Sequence, residues 1–259
     1  SHAYRSAHDD LKGMNDDELQ NHWMSFGIAE GRVGTPVSLR ENFVRLFPKD
    51  GLVLEIGPFA SPVMTGPNVR YFDVINTKGL HERAKVHGMD LSRIPETIHY
   101  VDSGGDLGVV DGSFTAVLSS HCIEHQPDLV AHLGQVARLL KSNGRYFLMI
   151  PDKRYCFDHF LKASDAQDVL AARGRKRHSF MSVFEHRALT THNDSSRHWQ
   201  GDHADPGFED SIAERAQMAR KEYLAAAGDY IDVHAWQFTP SSFRRNEFCA
   251  VLKLDGDRT

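Results

Sequence analysis

The chain has 259 residues, of which 41% are hydrophobic, a formal net charge of −5 and three cysteines. That length suits one large domain or a domain with an appendage, and the apolar content is enough for a sizeable core. The composition argues against a membrane span, against a disulfide framework or Cys-x-x-Cys metal knuckle, since Cys122, Cys156 and Cys249 are scattered, and against a global pull towards nucleic acid. From the N-terminus, residues 1–35 read as a small helical arm. Its polar start lacks the charged-then-apolar layout of a signal peptide, so a cytoplasmic location is expected. Asn15 and Glu18 have capping-box spacing, the helix continues through Leu19, Trp23 and Met24, and Gly27 is expected to stop it. Val37, Leu39, Phe43, Val44 and Phe47 recur at helical spacing and are expected to pack against a sheet.

Residues 51–74, GLVLEIGPFASPVMTGPNVRYFDV, carry the most informative pattern in the chain. Leu52, Val53 and Leu54 form an apolar run of the kind buried on both faces of a parallel sheet, and the run stops at Glu55-Ile56-Gly57. Gly57 permits a tight turn and close ligand approach, and Pro58 stiffens the exit. Residues 70–74 read as a second strand ending on Asp73. In a doubly wound sheet Glu55, Gly57 and Asp73 would converge on one crevice beyond the strand tips. The polar stretch to Gly88 holds a helix or a loop. Residues 98–101 form a short third strand ending at Asp102, and 114–118 a fourth after the turn at Asp111-Gly112. A helix through Leu133, Val136 and Leu140 closes at Asn143-Gly144, and strand five is 145–150.

In this order the motifs resemble the class I S-adenosylmethionine (SAM) methyltransferases. The run DGSF, strand, HCIEHQPD, helix, LLKSNGRYFLMIPD is similar to a large branch of that family over residues 50–160. The resemblance implies an α/β fold with a doubly wound, mainly parallel seven-stranded-type sheet across residues 36–160. It implies that Glu55, Gly57, Pro58, Phe59, Asp73 and Val74 grip SAM, with Asp73 on the ribose hydroxyls. Asp102, with Asp106 as the alternative, would lie near the adenine, and Ser119, Ser120 and His121 beside the methionine portion. Phe59 and Ser61 stand where the family commonly carries further glycines. The arm's HWMSFGIAEGR is similar to a short motif of methyltransferases and glycosyltransferases from surface-polysaccharide clusters, although a helical lid or dimer contact reads equally well. The implied reaction is methyl transfer to a sugar, glycan or other polar hydroxyl, with S-adenosylhomocysteine as product.

A hydroxyl acceptor must lose its proton, which suits histidine. His125 and His121 follow strand four and are the candidate bases, or else they shape the cofactor pocket; Asp152 is a further catalytic candidate. Asp152, Arg154, Tyr155, Asp158 and His159 crowd the loop after strand five as an acceptor wall, unless Arg154 simply pairs with Asp158. Residues 161–235 read as a cap insertion. Its basic cluster, Arg173, Arg175, Lys176, Arg177 and His178, suits a phosphate or acidic sugar, or is a solvated loop. His186, His192, His198, Asp202 and His203 come next in the chain, with His198 and His203 as substrate candidates. They could hold a divalent metal, but no His pair has the tight i, i+4 helical geometry and metal is not the favoured reading.

Residues 236–259 return to the sheet, where 232–238 forms a strand or an ordered segment bringing His234 back. Thr239 to the terminal strand at 246–254 leaves no room for the helix and strand that this fold places there, so residues are expected to be missing near Phe243-Arg244. A small-molecule or glycan acceptor is expected, with no nucleic acid and no membrane span. The arm could serve a homo-oligomer or biosynthetic complex. The alternatives are a NAD-binding oxidoreductase and a catalytically silent SAM-binding scaffold.

Overall fold

The computed structural model describes residues 2–27, 30, 32, 34, 40–239 and 249–253, with residues 2, 3 and 249–253 given by backbone only. Strands β1 (Val53–Ile56), β2 (Val69–Asp73), β3 (Tyr100–Val101), β4 (Phe114–Ser120) and β5 (Leu140–Met149) are parallel to one another. Strand β6 (Cys249–Lys253) adds antiparallel to β5, and the order is β3-β2-β1-β4-β5-β6. Six strands thus stand among the described residues, in the α/β arrangement expected. The order reverses between β1 and β4, and a sheet of this kind opens a crevice beyond the strand tips at such a point.

Both faces of the sheet are covered, which is why its strands read as unbroken apolar runs. On one face Leu54, Ile56, Phe72, Val117 and Leu148 pack with Val136 and Leu139 of α5 (Leu129–Leu139). On the other, Val53, Ala116, Leu118 and Phe147 pack with Phe43 of α3 (Arg40–Val44) and with Phe47. Phe47 and Phe147 meet edge to face at 4.7 Å, so the amphipathic segment before β1 does lie on the sheet; Val37 and Leu39 fall outside the described residues. Truncating one such ring costs about 3–5 kcal/mol. Helix α4 (Thr77–Val86) comes after β2, capped by the Asn76 side chain on Gly79 N. Helix α5 ends earlier than Asn143-Gly144: strand pairing resumes at Leu140 opposite Phe114, with a register shift before Ala116.

In the arm, α1 (His2–Ala7) and α2 (Asp16–His22) enclose Tyr4, Leu11 and Leu19. The capping box is complete, with Glu18 N on Asn15 at 2.9 Å and Asn15 N on Glu18 at 2.8 Å. The chain then makes a π-helical turn over Trp23–Gly27. A Cβ on Gly27 would stand 2.3 Å from the Tyr4 hydroxyl oxygen, so that glycine answers to close packing as well as to helix termination.

The cap comprises α6 (Ala166–Ala171), α7 (Phe180–Ala188), α8 (Ser195–Trp199) and α9 (Ile212–Ala225). Val183, Ala219, Ile231 and Val233 join α7 to α9 in a core of their own. Residues 230–239 form no strand. They run as an irregular segment fixed by Ala235 N and Trp236 N on the Glu124 carbonyl (2.7 and 3.1 Å) and by Lys153 N on the Phe238 carbonyl (2.9 Å). The missing residues expected near Phe243-Arg244 concern positions outside the described ones. Among the described residues no helix is long and apolar enough to cross a membrane.

Candidate active site

Gly57 continues β1, its N–H donating to the Phe72 carbonyl at 2.9 Å with φ +69°. A Cβ there would sit 2.3 Å from Cys122 Sγ, so only glycine fits both the backbone angle and the space. Asp73 ends β2 one residue beyond Phe72, which pairs with Ile56. Its side chain is buried, and Oδ1 accepts from Ile75 N at 3.2 Å. Burial pushes the carboxyl up to about 6, against the main-chain donors of Ile75 and Val74 that pull it down. Gly57, Phe59, Asp73, Val74, His121 and His125 border a cavity of about 460 Å³, within the range of small-molecule sites. Tyr230 and Asp232, from the segment after the cap, form its remaining polar edge. Arg83 of α4 also borders it and pairs with Asp232.

His125 Nδ1 lies 2.8 Å from Asp232 Oδ1. Burial, with His234 and His186 close by, holds the imidazole well below its ordinary range. It is therefore neutral near pH 7, with Nδ1 turned to a carboxylate. His121 has a left-handed backbone (φ +54°) and a side chain 58% exposed at the cavity mouth.

Several of the expected site residues do not border this cavity. Glu55 does not border the cavity: its two oxygens accept from Val63 N (2.7 Å) and Met64 N (2.9 Å), and the side chain is 1% exposed. It braces the turn that carries Gly57, and burial raises it to about 7. Pro58 is buried behind the rim. Ser119 is sealed in the core, its hydroxyl 2.8 Å from that of Tyr146, and Ser120 lies outside the lining. Asp102 turns back on its own loop to accept from Gly104 N and Asp106 N, Asp106 accepts from Gly108 N, and Gly105 borders the cavity instead.

The loop after β5 is likewise redistributed. Arg154 pairs with Asp152 through Nε at 3.0 Å and Nη2 at 2.5 Å, and the Arg154–Asp158 pair does not form. Asp158 is 1% exposed, with Oδ2 on His234 Nδ1. Tyr155 stacks on Trp199 of α8 with ring centroids 3.9 Å apart. His159 stacks on His203 at 3.7 Å and lies beside His198. Of the remaining residues around the site, Glu124 is fully buried with neither oxygen hydrogen-bonded among the described residues, and burial lifts it to about 7 despite the His234 charge. Nothing in the local pattern singles out Glu124, Cys122, Arg83 or Asp232, whose partners are remote in sequence.

A methyltransferase-domain family model matches residues 32–195. Among solved structures the chain is similar to the glycopeptide N-methyltransferase MtfA complexed with (S)-adenosyl-L-methionine, at 17% identity and TM-score 0.33, covering 45% of this chain and 54% of that one. It is similar to the DhpI-SAM-HEP complex at 17% identity and TM-score 0.32, covering 60% and 70%. A third is an S-adenosylmethionine dependent methyltransferase from Mesorhizobium loti, at 18% identity and TM-score 0.31, covering 44% and 55%. The chain spans about half the length of the first of these. No curated protein matches.

Proposed function

The chain belongs to the methyltransferase-domain family, and on that footing we propose that the crevice beyond β1 and β2 takes SAM and that its methyl group passes to a hydroxyl of a sugar, glycan or other polar small molecule. The observation that carries this reading is the convergence of Gly57, Asp73 and the His125–Asp232 pair on one cavity. When bound, the cofactor supplies a methyl carbon made electrophilic by its sulfonium. Asp73 is ionised at neutral pH and offers two oxygens to a vicinal pair of hydroxyls. Gly57 lets the main chain come close, and Ile56, Phe72, Leu80 and Met89 give apolar walls that keep water out. His125, kept neutral by burial and with Nδ1 2.8 Å from Asp232 Oδ1 but not hydrogen-bonded to it, is the group that takes the proton of the acceptor hydroxyl.

Two features favour a sugar-like acceptor. Trp199, stacked on Tyr155, keeps half of its surface exposed for a pyranose face. A second cavity of about 270 Å³ is bordered by Arg175, Arg177, Asp168, Glu185 and Ser164, a mixed set of donors and acceptors that suits a polyol. The test is calorimetric titration with S-adenosylhomocysteine and then a radiolabelled-SAM assay over a glycan panel. His125→Gln is expected to lower kcat by about 10² to 10⁴ while keeping product-analogue affinity. Unchanged turnover in that variant would remove the base. Absence of S-adenosylhomocysteine binding by the wild type would remove the reading altogether, and binding without any turnover would leave a scaffold.

A further inference from the structure

Away from the crevice, ring nitrogens of His159, His198 and His203, one from each, lie within 4.8 Å of one another. The hydrogen bonds around them fix where the lone pairs are. His159 Nδ1 is 2.8 Å from the Arg154 carbonyl, and His198 Nε2 is 3.1 Å from the His192 carbonyl. A carbonyl only accepts, so both of these nitrogens carry hydrogen. The lone pairs therefore sit on His159 Nε2 and His198 Nδ1. His198 Nδ1 faces His203 Nδ1 at 3.1 Å.

We propose that His159, His198 and His203 form a binding site for a divalent transition metal of the zinc class, joining the loop after β5 to α8. An imidazole anchored through its second nitrogen to a main-chain carbonyl is the support that metal-bound histidines use, and two of the three rings have it. Zn–N bonds of about 2.1 Å at tetrahedral angles need nitrogens about 3.4 Å apart. The His198–His203 edge is near that length, a His159 nitrogen lies within 4.8 Å of both, and metal binding would turn the His159 and His203 rings out of their 3.7 Å stack so that their lone pairs converge. His198 is 2% exposed while His159 and His203 reach partway to solvent, so a fourth position stays open to water or a ligand. His192 is not a ligand, because Nε2 meets the Asp202 carbonyl and Nδ1 accepts from Asp194 N.

The two other groups with metal-like spacing share His234, whose Nδ1 is taken by Asp158. One of them also needs His186, whose Nδ1 accepts from His234 N. They form a hydrogen-bonded network through charged and main-chain partners, whereas the His159 group is joined internally by the single His198–His203 contact, which a metal would replace. The rival explanation for the 3.1 Å contact is a His203 Nδ1–H donated to His198.

The test uses the full chain, stripped by dialysis against a chelator and titrated with Zn²⁺ by calorimetry, with thermal unfolding recorded with and without the metal. One equivalent is expected to bind and raise Tm, since a ligand of the native state stabilises it. His203→Ala and His159→Ala are each expected to weaken binding at least 100-fold and to abolish the Zn²⁺-dependent rise, with unfolding in the metal's absence showing that each variant is folded. Co²⁺ substitution should give tetrahedral visible bands in the wild type only. Stoichiometric binding of equal strength in both variants, or none in the wild type, would overturn the site in favour of a hydrogen-bonded stack. None of these readouts depends on methyl transfer.

Discussion

Asp158 Oδ2 lies 2.5 Å from Nδ1 of His234, tying the loop after β5 to the segment that returns from the cap. Both side chains are buried. Burial by itself would push His234 down, but the hydrogen bond and charge of Asp158, with Glu124 behind, outweigh it and hold the imidazole above its ordinary value. The same ring meets His125 edge on at 4.5 Å, so this pair also sets one wall behind the proposed base.

Removing one member of a buried pair costs about 3–5 kcal/mol, because the other is left charged without its partner. Asp158→Asn keeps the shape and removes the charge, so a loss towards the lower end is expected. The folded pKa of His234 is raised. Its stabilisation is therefore fully present below the ordinary histidine value of about 6.5 and is lost as pH rises through the folded value. The Tm deficit of Asp158→Asn should accordingly be larger at pH 6 than at pH 9, measured by differential scanning calorimetry. An equal deficit at both would mean that His234 is neutral throughout.

Gly57→Ala meets two obstacles, a φ of +69° and Cys122 Sγ at 2.3 Å from the new Cβ. The left-handed angle costs about 1–2 kcal/mol and overpacking about 1–3. In a chain of this size that corresponds to a fall in Tm of roughly 5 °C or more. Adding Cys122→Ala leaves the new methyl 3.8 Å from Cβ, an ordinary contact. The double variant should recover the packing part and retain the backbone part. Full recovery would show that the backbone angle carries no strain.

Asp73→Ala removes the carboxylate proposed to take the two ribose hydroxyls. Hydrogen bonds to a charged group are worth about 1.5–3 kcal/mol, so affinity for S-adenosylhomocysteine should fall at least about tenfold. Because Asp73 ionises near 6, wild-type affinity should also decline as pH drops through that value, and Asp73→Ala should lack this limb. Calorimetric titrations at pH 5.5 and 8 separate the two outcomes.

The sheet was legible because β1, β2, β4 and β5 are buried on both faces, so each declares itself as a local apolar run bounded by turn residues. The placement of Gly57 and Asp73 at strand ends beside the cavity was legible for the same reason: they close those runs. The direction of the Glu55 carboxylate was not legible, because an apolar run marks the tip of a strand but not the side to which a carboxylate turns, and here the main-chain N–H groups of residues 63 and 64 donate to it. The pairs His125–Asp232 and Arg83–Asp232 unite distant segments through the cap's return path, and no periodicity encodes such a path. His159 joined His198 and His203 for a similar reason, since ring stacking across α8 leaves no trace in spacing.

Glu124 offers the sharpest contrast between site and stability. It is fully buried, its carboxyl oxygens lack hydrogen-bond partners among the described residues, and burial raises it to about 7, with His234 pulling the other way. A carboxyl whose folded pKa is raised stabilises the native state while it is protonated, below its unfolded value. That contribution is lost as pH climbs through about 7. Glu124→Gln mimics the protonated form at every pH. The variant should therefore melt above the wild type at pH 8, and the gap should close as pH falls towards 5. Histidines held low by burial, His125, His132, His178 and His186 among them, impose an opposite trend that destabilises both proteins alike in acid, so it cancels in the difference. A Gln variant that melts below the wild type at pH 8 would mean that the Glu124 charge is held by the nearby His234 imidazolium, 3.9 Å away, and that the carboxylate is part of the Asp158–His234 pair.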